Sequence, residues 1–272
     1  MAALVVGLIA AGVFIGVCSG LLGIGGGVLM VPFLRVLFSF DAHVATATSL
    51  FTIIPTSISG AVAHIKSRTC LPAVGVALGV GGSITSTLGV YLGSVSPEWL
   101  IMLITAAIIV YSAYNMLSKA MRLPRTGAAQ KGGAASAPTD VAVPPYQLTK
   151  GRLAGAFGIG LIAGLGSGYC GVGGGFIMVP LMTALLAVPM KEASGTSLIA
   201  ILILAVPGTV TQFMMGNVYL LAGLLLACGT IPGSVLGAKL NAHMPERQLR
   251  LAFAAFLGVS AAMLVMNELG VL

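Results

Sequence analysis

The sequence predicts an all-α integral membrane protein of two homologous, inverted repeats. Each repeat has about five helical segments, with short, broken helices at glycine-rich motifs. Three observations carry that prediction. Only 7% of the 272 residues are charged and 58% are hydrophobic, against a usual charged share of about 25%. So few charges cannot cover a water-exposed surface. Second, one stretch occurs twice: residues 16–34 read GVCSGLLGIGGGVLMVPFL and residues 164–182 read GLGSGYCGVGGGFIMVPLM, identical at ten of nineteen positions at a constant offset of 148. Third, apolar segments of 21 or 22 residues recur along the chain, and about 20 helical residues cross ~30 Å of hydrocarbon.

Taken in order, the first repeat reads as apolar segments at 4–22, 28–40, 44–65, 73–93 and 97–118. No Lys or Arg precedes the first segment and no small-residue cleavage site interrupts it, so it reads as an uncleaved helix. The segment 28–40 is too short to span alone, and the G-x-GGG break stands before it. Residues 120–150 change character to an Ala, Gly and Pro-rich run without apolar period, which reads as a flexible cytoplasmic linker. The second repeat gives segments at 153–170, 176–188, 194–215, 219–240 and 248–267. The expected organisation is therefore an N-terminal repeat over 1–119, the linker over 120–150 and a C-terminal repeat over 151–272.

The duplication extends past the glycines. Ala45-Thr46-Ala47-Thr48-Ser49-Leu50 matches Ala193-Ser194-Gly195-Thr196-Ser197-Leu198, Gly60 matches Gly208, and Pro97-Glu98 matches Pro245-Glu246, all at the same offset. Loop charges set the relative orientation, because Lys and Arg concentrate on the cytoplasmic side. The loop with Lys66 and Arg68 has an uncharged partner at Gly216-Asn217-Val218; the base-free loop at 94–98 has a partner region with Lys239, Arg247 and Arg250. Equivalent loops on opposite sides mean inverted repeats, an arrangement many secondary transporters use.

The basic excess, 13 Lys+Arg over 6 Asp+Glu, follows from this topology, and no basic face with interleaved aromatics suggests nucleic acid. Cys18, Cys70, Cys170 and Cys228 show no C-x-x-C spacing and read as small packed residues. His43, His64 and His243 read as ordinary residues near segment ends and form no metal set. No nucleophile–base pair and no nucleotide motif is visible, so neither an enzyme nor a cofactor is expected. All six carboxylates fall in loops, in the linker or at segment ends, which argues against a cation site inside the membrane.

The paired G-x-GGG-hydrophobic-P motifs, the A-T/S-x-T-S-L segments and the chain length resemble the TauE/SafE family of sulfite exporters, over both repeats and excluding the linker. The resemblance implies a multi-pass inner-membrane carrier of a small sulfur anion: sulfite, thiosulfate or an organosulfonate. On that reading the segments starting at Val28 and Phe176 point their N-termini toward the bilayer centre. A helix N-terminus leaves N–H groups unpaired and carries partial positive charge, which suits an oxyanion. The expected substrate-binding residues are Ser19, Gly25, Gly26 and Gly27 with Ser167, Gly173, Gly174 and Gly175, in a site between the two breaks. Thr48, Ser49, Thr196 and Ser197 are a second expected set, with close helix packing and back-bonding to the helix as the alternatives. Arg35 lies inside an apolar segment opposite Thr183, placed either to attract an anion or to snorkel. Beyond substrate and lipid bilayer, a second copy of the chain is a possible partner. An anion channel and a non-transporting membrane scaffold stay open as rival functions.

Overall fold

The computed structural model describes residues 2–38, 40–122 and 149–268. Most of the linker lies outside the described residues. The described chain forms ten α-helices and no strand: α1 Ala2–Leu22, α2 Gly27–Phe38, α3 Ala42–Lys66, α4 Pro72–Ser94, α5 Glu98–Arg122, α6 Lys150–Cys170, α7 Gly175–Leu185, α8 Met190–Met214, α9 Leu220–His243 and α10 Glu246–Glu268. Helix k of the first repeat corresponds to helix k+5 of the second. Five boundaries move by three or four residues from the expected ones: α5 runs on to Arg122, α6 starts at Lys150, α7 stops at Leu185, α9 runs on to His243, and α8 starts early enough that Glu192 lies in its first turn.

Local chemistry places the ends. α4 begins with Pro72, whose missing N–H costs nothing in a first turn. α2 and α7 each carry a proline at their sixth residue, Pro32 and Pro180, which removes an internal hydrogen bond. The matched Pro-Glu pairs act as caps. Glu98 accepts a hydrogen bond from the Ala42 N–H that opens α3 (3.3 Å), and Glu246 accepts one from the Met190 N–H that opens α8 (3.4 Å). Carboxylates there complement the positive end of each helix.

Seven of the helices, α3–α6 and α8–α10, are long and apolar enough to cross a membrane. Their outward faces carry large apolar side chains, among them Ile84, Leu103, Ile162, Val210 and Leu221. The chain is a multi-pass helical membrane protein.

The two repeats are interlocked. α1 packs along α9 and α6 along α4, so each repeat lends its first helix to the fourth helix of the other. Both contacts are backbone against backbone. A Cβ on Gly16 would stand 2.5 Å from the Thr230 carbonyl oxygen, and one on Gly20 would stand 2.0 Å from that of Ser234. In the other half, Gly164 and Gly168 approach Gly82 and Ser86 as closely, at 2.1 Å each. The four-residue spacing of these glycines puts them on one helix stripe, the small-residue packing that membrane helices favour. The equivalent helices α3 and α8 pack on each other in opposite directions: Gly60 meets Leu198, while Gly208 meets Leu50.

This packing sets one prediction. Gly20→Val should yield no folded protein, because the approaching atoms are backbone and cannot move aside. Gly7→Ala, where nothing lies within 4 Å, should keep the fold and gain up to about 1 kcal/mol in helix propensity. Monodispersity and melting temperature of the two purified variants in detergent check both.

Candidate functional site

Each repeat breaks its first helix in the same way. α1 ends where Gly23 turns left-handed (φ 73°) and its N–H donates to the Ser19 carbonyl at 2.8 Å; α6 ends at Gly171 (φ 66°), whose N–H donates to the Ser167 carbonyl at 2.8 Å. Gly25 and Gly26 (φ 81° and 85°) and Gly173 and Gly174 (85° and 70°) then re-aim the chain into α2 and α7. Side chains strongly disfavour this backbone region, which is why glycine recurs there.

The breaks touch each other directly. A Cβ on Gly27 would stand 2.6 Å from the Val172 carbonyl oxygen, and one on Gly175 would stand 2.5 Å from that of Gly23. Ile53 of α3 and Ile201 of α8, themselves equivalent, fill the contact beside Gly173 and Gly25. The space between the breaks, expected to hold the site, is therefore packed with backbone and isoleucine. On the side of its own repeat each break packs beside a serine, with Ile15 and Met30 also against Gly26 and the Ala163 carbonyl against Gly174. The Ser19 Cβ lies 3.6 Å from a Cβ placed on Gly26, and the Ser167 Cβ lies 3.2 Å from one placed on Gly174. Both serines are fully buried, and neither hydroxyl has a hydrogen-bond partner. Ser57, Ser86 and Thr209, on α3, α4 and α8, share that condition.

The second expected set is occupied otherwise. Ser197 Oγ donates to the Gly23 carbonyl (2.6 Å), sharing its proton with the Ser194 carbonyl at 2.8 Å. Ser49 Oγ donates to the Gly171 carbonyl and, at 2.8 Å, to that of Thr46. Thr48 Oγ1 accepts from the Tyr219 N–H at the start of α9 (3.0 Å), and Thr196 Oγ1 accepts from the Leu71 N–H at the start of α4 (2.9 Å). The A-T/S-x-T-S-L motif thus ties each repeat to the other: its serine caps the broken helix and its threonine caps the fourth helix. In this arrangement the four hydroxyls fasten the backbone of the opposite repeat, and Ser49 and Ser197 also bond back to their own helix, the role weighed above as the alternative to binding.

Arg35 reaches Glu98 at 3.9 Å, and Arg250 holds Glu246 at 2.6 and 3.2 Å. Arg35 therefore sits beside the cap of α3. Thr183, its equivalent, donates to the Pro180 carbonyl. One residue stands apart from its sequence reading. His64 is fully buried, with Nε2 2.8 Å from the Gly20 carbonyl and Nδ1 2.7 Å from Thr69 Oγ1. The repeat held the signal: at offset 148 His64-x4-Thr69 aligns with Gln212-x4-Asn217, another polar pair, and Asn217 Nδ2 donates to Gln212 Oε1 at 2.9 Å.

The family model for the sulfite exporter TauE/SafE matches residues 8–264. The chain belongs to the TauE/SafE family. Its similar relatives include the probable membrane transporter protein YunE of Bacillus subtilis, 30% identical over 89% of this chain and 90% of that one. Another is the probable membrane transporter protein MJ0441 of Methanocaldococcus jannaschii, 24% identical over 93% and 92%. A probable membrane transporter protein of Haemophilus influenzae is 27% identical over 92% and 94%. No solved structure matches. Family and relatives together make the chain a membrane transporter.

Two predictions follow from the ties. Ser49→Ala and Ser197→Ala each leave a buried carbonyl without its donor, so each should destabilise the protein by about 1–3 kcal/mol, read as a lower melting temperature. In the loop between α3 and α4, burial first and the charge of Glu192 second push the Cys70 thiol above its usual value. Because the thiolate is the nucleophile, alkylation of a Cys70-only variant should reach its half-maximal rate above about pH 8.5. Adding Glu192→Gln should lower that midpoint.

Proposed function

We propose that this transporter is a secondary carrier of a small sulfur-containing anion, sulfite or an organosulfonate, in the inner membrane. It works by alternating access between two inverted repeats. The observation that carries the proposal is the pairing at each break: a helix N-terminus, α2 or α7, beside a buried serine hydroxyl that has no protein partner. A buried hydroxyl without a partner costs roughly 1–3 kcal/mol, and a bound oxyanion accepting from it removes that cost. The antiparallel packing of α3 on α8 and the loop charges support the inversion. The printed name of the family supports sulfite as the type substrate.

On this reading each break is a half-site: Ser19 with Gly25, Gly26 and Gly27, and Ser167 with Gly173, Gly174 and Gly175. Gly26 and Gly174, on the serine side, admit the anion to the first turns of α2 and α7, where the Gly175 N–H is already given to the Gly173 carbonyl (2.9 Å), and the serines donate to it. Arg35 stays with Glu98. Helix dipoles and hydroxyls hold one or two negative charges loosely enough to release them, which suits turnover better than a fixed cation would. Asp41, Glu98, Glu192 and Glu246 stand at helix starts.

The test is a binding screen of purified protein against sulfite, thiosulfate, sulfoacetate and taurine, followed by Ser19→Ala and Ser167→Ala on the anion that binds. Each variant should lose about 1.5–3 kcal/mol of binding, roughly ten- to a hundredfold in affinity. Each should also melt no lower than the wild type, since the hydroxyl it deletes has no partner. Unchanged affinity with a lower melting temperature would refute the site. Saturating flux and exchange of internal for external anion mark the carrier; unitary currents above about 10³ charges per second, beyond ordinary turnover numbers, would mark the channel instead.

A further inference from the structure

His64 is a buried titratable side chain that nothing in the anion site described above uses. Its bonds define what it can do. The Gly20 carbonyl can only accept, so Nε2 carries a hydrogen. On the other side Thr69 Oγ1 lies 2.7 Å from Nδ1 and 3.4 Å from the carbonyl oxygen of His64 itself. With the imidazole neutral, the Thr69 hydroxyl donates to Nδ1. With the imidazole protonated, Nδ1–H donates to Thr69 Oγ1, and the hydroxyl hydrogen turns to the His64 carbonyl. Both protonation states are satisfied by rotating one hydroxyl. Thr69 is partly exposed in the loop beside the exposed Arg68, so a proton can arrive from and return to water on that side.

The position links the proton to the moving parts. Gly20 follows Ser19 in the last turn of α1. Gly195 of α8, inside the motif that ties the repeats, packs so closely that a Cβ there would stand 2.8 Å from His64 Nδ1. The charged or titratable side chains of the surrounding elements are Cys18 on α1, His43 and Lys66 on α3, Arg68 and Cys70 in the loop, Lys191 and Glu192 on α8, and Cys228, Lys239 and His243 on α9. Among them Cys70 packs against the same face of Gly195 as His64. In the second repeat the equivalent pair, Gln212 with Asn217, makes the bond with amides that do not titrate. Packing is thus served by an amide, and the first repeat alone adds a group that takes a proton.

We propose that His64 binds and releases the proton that couples anion movement at the Ser19 break to the pH gradient, making the carrier a proton-linked one. This rests on the transport reading above. The variant to use is H64Q, which copies the residue the second repeat already holds at this place.

Two measurements decide it. In protein with isotope-labelled histidine, the ring signal absent from H64Q should titrate between about pH 5 and 8; a signal that does not change over that range overturns the proposal. In proteoliposomes loaded with methanesulfonate, whose charge is constant over that range, the wild type should build an anion gradient of about tenfold per pH unit for one coupled proton. H64Q should still exchange labelled for unlabelled methanesulfonate but build no gradient. A gradient in H64Q equal to that of the wild type overturns the proposal, as does a wild type that exchanges the anion and ignores pH; both leave the transport function standing. A wild type that exchanges neither methanesulfonate nor sulfite refutes the transport reading, and the coupling with it.

Discussion

Backbone lying directly on backbone between the two repeats is the constraint on which the other contacts rest. In lipid no hydrophobic force drives apolar helices together, because the tails are as apolar as leucine. Helices that must stay together need contact close enough for dispersion along their whole length. The glycine rows on α1, α4, α6 and α9 supply it, with carbonyl oxygens standing where side chains would otherwise be. Since α1 and α9 belong to different repeats, as do α6 and α4, neither repeat completes its packing alone.

The breaks follow from that grip. α1 and α6 are held along their lengths and end where Gly23 and Gly171 turn, and Ser197 and Ser49 of the opposite repeats take up the carbonyls exposed there. Once these ties are made, Ser19 and Ser167 remain beside the breaks as hydroxyls without a partner. The two loops also press on each other through Val172, Gly23, Ile53 and Ile201. A displacement of one break therefore loads the other.

Within a symmetric backbone the polar chemistry is one-sided. Between α3 and α9, Thr52 donates to the Gly223 carbonyl, and Thr56 and Ser59 meet Thr230 and Ser234 in a run of hydroxyl contacts. The equivalent positions on α8 and α4 are Ala200, Leu204, Pro207, Gly82 and Ser86, of which only the serine is polar. His64 stands opposite Gln212, and Arg35 opposite Thr183. Duplication supplied the frame; substitution then made its two faces chemically different.

The sequence by itself determined the membrane class, the two repeats and nearly all helix positions. Composition, segment length and the constant offset of 148 are properties of the chain that hold before any contact forms. The glycine breaks were legible for the same reason, since a left-handed backbone at Gly26 and Gly174 is a local demand. Partnership was not legible. Ser19 and Ser49 look alike in the sequence, yet one hydroxyl is bonded to the Gly171 carbonyl and the other is unpaired. His64, read as an ordinary segment-end residue, proved to be the bridge from the loop to α1. Tertiary structure alone decided these roles, because α1 docks on α9 across more than two hundred residues of sequence, and no local pattern encodes which carbonyl a distant helix brings within reach.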